Sequence, residues 1–381
     1  MKRREDLKIF LIGVGYLAYY ITPCYRAILR DNIGSQMIGI KGSERGLKER
    51  QELFPFPLQV QNTRAALDEM KPDLILLAPK PDQIPGIMEE VLIPYYEDCR
   101  KAGEILPDLY SFAPDPQVSY FYDKLGGDVN EANLLPNMVN ELHGINVAPV
   151  GVSFISFDER REWPEENKKL ALDFLKPTAT VIEVPAKYAV PFLALKVASH
   201  TTYEMCFILQ DVLKEKGIEV PLAALASAMR TYHRENFKDI DPALYPCSED
   251  DAPEEIRVFI CEMVQGWYRG IVRYAVSIGM DEWIARRMAG GTMELHLMTI
   301  QMEPREVLDQ NVANHATKGG VLEKAIITFD EIGYQYLTEV FRHFMEGYPD
   351  SDFDVKIEQL AFDVTKAVSD HGMTLGKLNQ K

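Results

Sequence analysis

Short aliphatic runs alternate with segments of helical spacing over the first part of the chain. Lys8 to Ile12 (KIFLI), Gln36 to Ile40 (QMIGI), Asp73 to Pro79 (DLILLAP) and Ile145 to Phe157 (INVAPVGVSFISF) read as strands. Between them, Tyr16 to Arg30, Thr63 to Met70 and Gln83 to Ala102 place apolar residues at helical spacing. Continuous apolar strands joined by helices predict an α/β unit, a doubly wound parallel sheet covered on both faces.

From Ala186 onward the pattern changes. Apolar residues recur at helical spacing through Tyr188 to Glu215, Leu222 to Glu235, Glu254 to Ile278, Glu282 to Gln301 and Leu322 to Phe344, and the tail from Asp354 to Val368 continues it. Pro177 to Pro185, with the strand-like TVIEV, reads as the passage between the halves; Asp239 to Pro253, rich in Pro, Asp and Glu, reads as a loop. The expected organisation is a sheet domain over 1–185 and a mostly α-helical domain over 186–381.

Charge narrows the partners. A formal net charge of −17 over 381 residues disfavours nucleic acid and anionic membrane surfaces, since both are polyanions. A small-molecule substrate is the expected partner. The five cysteines, Cys24, Cys99, Cys206, Cys247 and Cys261, form no CxxC pair, so reduced thiols in the cytoplasm are expected rather than disulfides or a zinc site. No HxxxH, HExxH or DxD arrangement points to a metal. No uninterrupted apolar run reaches the roughly 18 to 20 residues that a membrane-spanning helix needs.

The basic start MKRRE followed by KIFLIGVGYLAYY has the outline of a secretion signal. Glu5 and Asp6 interrupt the basic stretch, however, and Pro23 to Arg26 do not form a small-residue cleavage site. The better reading is a phosphate-binding turn: Gly13-Val14-Gly15-Tyr16-Leu17-Ala18 is a GxGxxA between a strand and a helix, the context of a Rossmann-type dinucleotide site. Gly13 permits the tight turn, Gly15 lets a pyrophosphate approach the backbone, and Ala18 lets helix and strand pack closely.

At the end of the second strand an acid would bind the ribose 2′-hydroxyl of NAD. Here the chain reads Ile40-Lys41-Gly42-Ser43-Glu44-Arg45, so Lys41, Ser43 and Arg45 favour the 2′-phosphate of NADP, while Glu44 turned inward would leave NAD open.

Four further segments resemble the pyrroline-5-carboxylate reductases, within the 6-phosphogluconate dehydrogenase-like superfamily. LLAPKPDQIPGIMEEV (Leu76 to Val91) is similar to that family's strand end and following helix, and LLPNMVNELHGINVAPVG (Leu134 to Gly151) to its MPNTP segment. LALKVASHTTYEM (Leu193 to Met205) falls at its GSGPAY helix start, and ANHATKGGVLEKAI (Ala313 to Ile326) resembles its glycine-pair signature. The resemblance implies that Gly13, Gly15 and Ala18 cradle a pyrophosphate and that Ala78, Lys80 and Pro81 border the nicotinamide and ribose. It further implies that Pro136 and Asn137 shape the substrate side, with Thr317, Lys318, Gly319 and Gly320 receiving a substrate carboxylate. The implied activity is NADP-dependent reduction of the C=N bond of a carboxylate-bearing cyclic imine.

The departures redirect attention. Val321 and Leu322 replace the family's threonines, and Ala198-Ser199-His200-Thr201-Thr202-Tyr203 replaces GSGPAY. His200 and Lys196 stand one turn apart on one helix face, and a nearby lysine is expected to lower the pKa of the histidine. His200 is therefore a candidate for proton transfer, with a plain helix residue bonded to a carbonyl as the bland alternative. His315 is a candidate pocket residue or a cap, and His143 reads as structural. Two other readings remain: a β-hydroxyacid-dehydrogenase-like oxidation with Lys196 as base, and a nucleotide-binding sensor without turnover. Met288, Met293, Met298 and Met302 fall near helical spacing and suit core or interface packing, in keeping with a homodimer through the helical domain.

Overall fold

Side chains that alternate along the first strands are buried on both sides, which is why those strands read as unbroken apolar runs. Ile9 and Leu11 join Tyr25, Phe56, Leu74, Leu76 and Phe174 in one core. Phe10 and Ile12 join Leu67, Ile75, Leu77, Met88, Tyr96 and Phe121 in another. Each such side chain withdrawn from water stabilises the fold by about 2 kcal/mol before entropic costs.

The structure, a computed structural model, describes residues 3–60, 62–241, 243–315, 320–347 and 352–379, with the side chains of 311, 314, 315 and 376–379 excepted. Among the described residues the strands are β1 (Ile9–Ile12), β2 (Met37–Ile40), β3 (Leu58–Gln59), β4 (Leu74–Leu77), β5 (Asp108–Ser111), β6 (Glu131–Leu135), β7 (Glu141–Leu142), β8 (Ile145–Asn146), β9 (Val152–Phe157) and β10 (Thr180–Glu183). Eight of them form one sheet in the order β10-β9-β6-β5-β4-β1-β2-β3, and β7 pairs with β8 in a separate hairpin. From β3 to β6 every neighbouring pair is parallel, with Ile9 opposite both Met37 and Leu74. That is the doubly wound Rossmann order, and helices cover it. β9 joins β6 antiparallel and carries β10 parallel to itself, so the sheet is mixed at this edge.

Two expectations need correction. Ile145 to Phe157 is not one strand: Ile145–Asn146 closes the small hairpin, and a turn follows in which Val150 and Gly151 donate to the Val147 carbonyl at 3.0 and 3.1 Å. Pro149, which has no N–H for a ladder, interrupts the run. The segment Tyr188 to Glu215 is likewise two helices, Ala189–His200 and Thr202–Glu215. The Thr201 and Thr202 hydroxyls bond back to the Ala198 and Ser199 carbonyls at 2.6 and 2.8 Å and compete with the helical ladder there.

The chain divides into two compact units. The first comprises Met1–Asn140, Val152–Ala189 and Gly376–Lys381, and the second Glu141–Gly151 and Val190–Leu375. The hairpin thus belongs with the helices, where Arg287 donates to the Pro149 and Val150 carbonyls at 2.7 and 3.3 Å. Within the second unit, Leu222–Asn236, Glu254–Ser277 and Glu282–Met302 pack against one another, and Trp267 on the second of them is fully buried against Ala198 and Phe329. A β-carbon on Gly270 would lie 2.2 Å from the Glu358 carbonyl oxygen, so the helix containing Phe353–Asn379 approaches Glu254–Ser277 closely enough to require glycine. Among the described residues, no helix is long and apolar enough to cross a membrane.

Candidate functional site

Two places carry the residues singled out from the sequence, one in each unit.

In the first unit the C-terminal ends of β1 and β4 lie side by side, and the chain leaves them toward opposite wings of the sheet. Gly13 follows β1 with φ +92°, and a β-carbon there would lie 2.7 Å from both the Ala78 carbonyl carbon and the Pro79 nitrogen. Its N–H donates to the Ile40 carbonyl at 3.1 Å, while the Ala78 N–H donates to the Ile12 carbonyl at 2.8 Å. Only glycine fits this corner. Gly15 caps the helix Tyr16–Tyr20 in an extended conformation, and a β-carbon there would meet nothing within 4 Å. Val14 and Ala18 are buried and Leu17 packs against the core. The tight corner and the open space above Gly15 suit the pyrophosphate of a dinucleotide.

Around this turn the expected cations behave differently. Lys41 folds back over its own loop, with Nζ donating to the Ser43 carbonyl at 2.7 Å and Oγ at 3.2 Å and also to the Arg45 carbonyl. Ser43 and Arg45 are exposed. Arg50, unremarkable in the sequence, places its guanidinium 4.6 Å from the ring centre of Tyr16, which is 54% exposed. Lys80 is exposed at the start of the short turn Pro81–Gln83, three residues past the end of β4. Asn137 is buried within the unit: its main-chain N–H donates to Ser153 Oγ at 2.8 Å, and Nδ2 donates to the Thr178 carbonyl at 3.2 Å and to the Val139 carbonyl. Pro136 precedes it at the end of β6.

In the second unit Lys196 and His200 lie one turn apart on the Ala189–His200 helix, half-buried. His200 Nδ1 is 3.2 Å from Nε2 of His296, on the helix Glu282–Met302. Tyr203 packs against both rings, 4.6 Å from the centre of His200 and 5.6 Å from that of His296. Burial depresses Lys196 to about 7, so its amine exchanges protons near neutrality. Burial, reinforced by the Lys196 charge, pushes His296 down to about 4 despite the Ser199 main chain favouring its protonated form. The lysine's influence reaches a histidine that the sequence did not single out. No periodicity marks His296, which lies 96 positions beyond its partner; only helix packing pairs them.

The remaining candidates sit near the glycine pair. His315 ends the helix Arg305–His315, but its side chain, like all of Thr317, Lys318 and Gly319, lies outside the described residues. Gly320 caps the helix Val321–Phe329, with Lys324 donating to its carbonyl at 3.1 Å. His143 stands 3.1 Å from Glu303 within the second unit. All five cysteines are free thiols. Among the described residues, no group of three or more His, Cys, Asp or Glu side chains is arranged to hold a metal.

No family model matches the chain, and no curated protein matches it. Among solved structures it is similar to the pyrroline carboxylate reductase of Plasmodium falciparum with NADP bound, at 11% identity and a TM-score of 0.36 over 94% of this chain and 100% of that one. It is also similar to a pyrroline-5-carboxylate reductase from Coxiella burnetii, at 15% identity and a TM-score of 0.38 over 95% and 98% of the two chains. A putative NADP oxidoreductase from Bacteroides fragilis shows 14% identity and a TM-score of 0.42 over 78% and 98%. Likenesses this distant carry no functional argument, and the fold assignment rests on this chain's own strand order.

Proposed function

We propose that this chain is an NADP-dependent oxidoreductase that reduces the C=N bond of a small, carboxylate-bearing cyclic imine. The observation that supports it most is the corner at Gly13, pressed against Ala78 where the sheet reverses its winding, with open space above Gly15. Gly13, Val14, Gly15 and the main chain entering Tyr16 would hold the pyrophosphate, with Leu17 and Ala18 anchoring the turn. Ser43 and Arg45 would face the adenosine ribose, on a loop that Lys41 braces from within, and Ala78, Lys80 and Pro81 the nicotinamide end. When bound, the dinucleotide supplies a hydride.

The chain's own contribution is proton management and binding. Lys196, at about 7, gives a proton to the substrate nitrogen, and His200 stands beside it to orient that atom. His315, Thr317, Lys318, Gly319 and Gly320 would receive the carboxylate. The same depressed lysine favours a second reading, oxidation of a hydroxyacid with Lys196 as base, since a neutral amine accepts a proton as readily as its cation donates one. The protein would act as a homodimer through its helical unit, which light scattering after size exclusion would test.

The decisive experiment follows absorbance at 340 nm with NADPH or NADH and a panel of cyclic imine carboxylates, 2-keto acids and hydroxyacids. Imine reduction with NADPH supports the proposal. Turnover confined to hydroxyacids supports the second reading. Failure to bind either dinucleotide overturns both. For cofactor choice, Arg45→Ala is expected to weaken NADPH by about tenfold and leave NADH unchanged.

A further inference from the structure

One cation near the dinucleotide turn carries no mark in the sequence. Arg50 lies on the helix Leu47–Gln51, which follows β2 and belongs with Ser43 and Arg45 to the connection that a doubly wound sheet turns toward the adenosine ribose. Its guanidinium carbon stands 4.6 Å from the ring centre of Tyr16, the first residue of the helix that Gly15 caps. Arg50 therefore links the ribose connection to the turn where Gly15 faces open space. Among the described residues the guanidinium makes no hydrogen bond and no ion pair, and its partner is the Tyr16 ring.

Its charged neighbours are placed differently. Lys41 is engaged by the Ser43 carbonyl and hydroxyl and by the Arg45 carbonyl, so its ammonium braces the loop. Glu44, the acid that would serve a ribose 2′-hydroxyl, lines with Lys48, Glu52 and Leu58 the groove between the Leu47–Gln51 helix and β3, whereas Arg50 meets Tyr16 away from that groove. A guanidinium resting on an aromatic ring keeps its N–H donors while losing freedom of movement, so little further ordering is needed when an oxyanion arrives. In this region NADP differs from NAD by one group, a 2′-phosphate, whose several oxygens suit more than one arginine.

We propose that Arg50, seated on Tyr16, binds the 2′-phosphate of NADP together with Arg45 and is thereby a determinant of cofactor choice. This rests on the oxidoreductase reading, which supplies the dinucleotide. It gives the half-exposed Tyr16 ring a use as the seat of the cation, and it replaces Lys41, the cation expected from the sequence, with one that the fold leaves ready to bind.

The test is binding to the full chain, by fluorescence for NADPH and NADH and by calorimetry for adenosine 2′,5′-bisphosphate and adenosine 5′-monophosphate, which differ in the 2′-phosphate alone. Arg50→Ala is expected to weaken NADPH and the bisphosphate about tenfold while leaving NADH and the monophosphate unchanged. Arg50→Lys keeps the charge without the planar fork and should recover part of that loss. Tyr16→Leu removes the seat and should weaken NADPH about threefold, again without effect on NADH. The double variant Arg45→Ala, Arg50→Ala should bind NADPH and NADH alike, and urea midpoints check that each variant is folded. An unchanged NADPH affinity in folded Arg50→Ala overturns the proposal. Equal loss of NADPH and NADH overturns it too, since Arg50 would then serve the shared pyrophosphate. A wild type that prefers the monophosphate to the bisphosphate overturns it without any variant. In these three cases the wild type still binds a nucleotide and the oxidoreductase reading stands; a wild type that binds neither dinucleotide ends both.

Discussion

A β-carbon on residue 13 would sit 2.7 Å from the carbonyl carbon of Ala78, whereas one on residue 15 would touch nothing within 4 Å. The two glycines of the turn therefore differ: Gly13 fills a packed corner, and Gly15 faces the open space in which we propose that the dinucleotide binds. Gly13→Ala must distort the backbone at φ +92° and is expected to cost about 2 kcal/mol of stability along with dinucleotide binding. Gly15→Ala should leave the urea midpoint unchanged while weakening NADPH about tenfold or more, because its methyl occupies the space a pyrophosphate needs. Unfolding curves alongside NADPH fluorescence titrations separate the two effects.

Lys196 makes a prediction about pH. Its amine stands at about 7 in the fold against 10.5 when exposed, so the unfolded chain binds more protons between those values. The contribution of this group therefore makes stability rise with pH across that window. Lys196→Met should remove that slope and raise stability below pH 7 by a few kcal/mol, as read from urea unfolding at pH 6.5 and 9.5. The same variant should lose about a hundredfold or more in kcat.

Glu131 acts in the opposite sense. It is fully buried in β6 with neither carboxylate oxygen partnered among the described residues, and burial pushes it up to about 8 although Arg161 pulls it down. An acid held protonated stabilises fully below its unfolded value and loses that contribution as pH rises through about 8. Glu131→Gln should be more stable than the wild type at pH 9 by a few kcal/mol and nearly equal to it at pH 4.5. Equal midpoints at pH 9 would sink the idea.

Glu294 is the buried anchor of the helical unit. Its Oε1 accepts from Arg230 at 2.8 and 3.0 Å and from Arg234 at 2.7 and 3.0 Å. The same two arginines donate to the Tyr245 carbonyl at 3.0 Å and the Leu244 carbonyl at 2.8 Å. Glu294→Leu leaves buried guanidiniums without their carboxylate and should cost about 3 to 5 kcal/mol. Limited proteolysis should then cut first within 239–253, the loop those arginines hold.

How far the fold could be read from the chain depended on what each strand buries. β1, β2 and β4 announce themselves because both of their faces meet apolar helices. β5 and β6 escaped because Asp108, Ser111, Glu131 and Asn133 break the aliphatic pattern, yet all four are buried. Asp108 is accommodated by the Asn130 and Asn167 amides at 2.7 and 2.9 Å, partners from outside its own strand. Pairings of that kind have no sequence period.

The candidate site divides in the same way. Local chemistry placed Gly13 and Gly15 at a turn and set Lys196 and His200 on one face, because a strand end and a helix turn are settled by residues a few positions apart. Tertiary packing decided the rest: it pressed Gly13 onto Ala78, turned Lys41 back onto its own loop, engaged the Asn137 amide within the first unit, and brought His296 to His200. Burial and proximity belong to the folded arrangement, so the protonation of Lys196 and His296 could be decided only there.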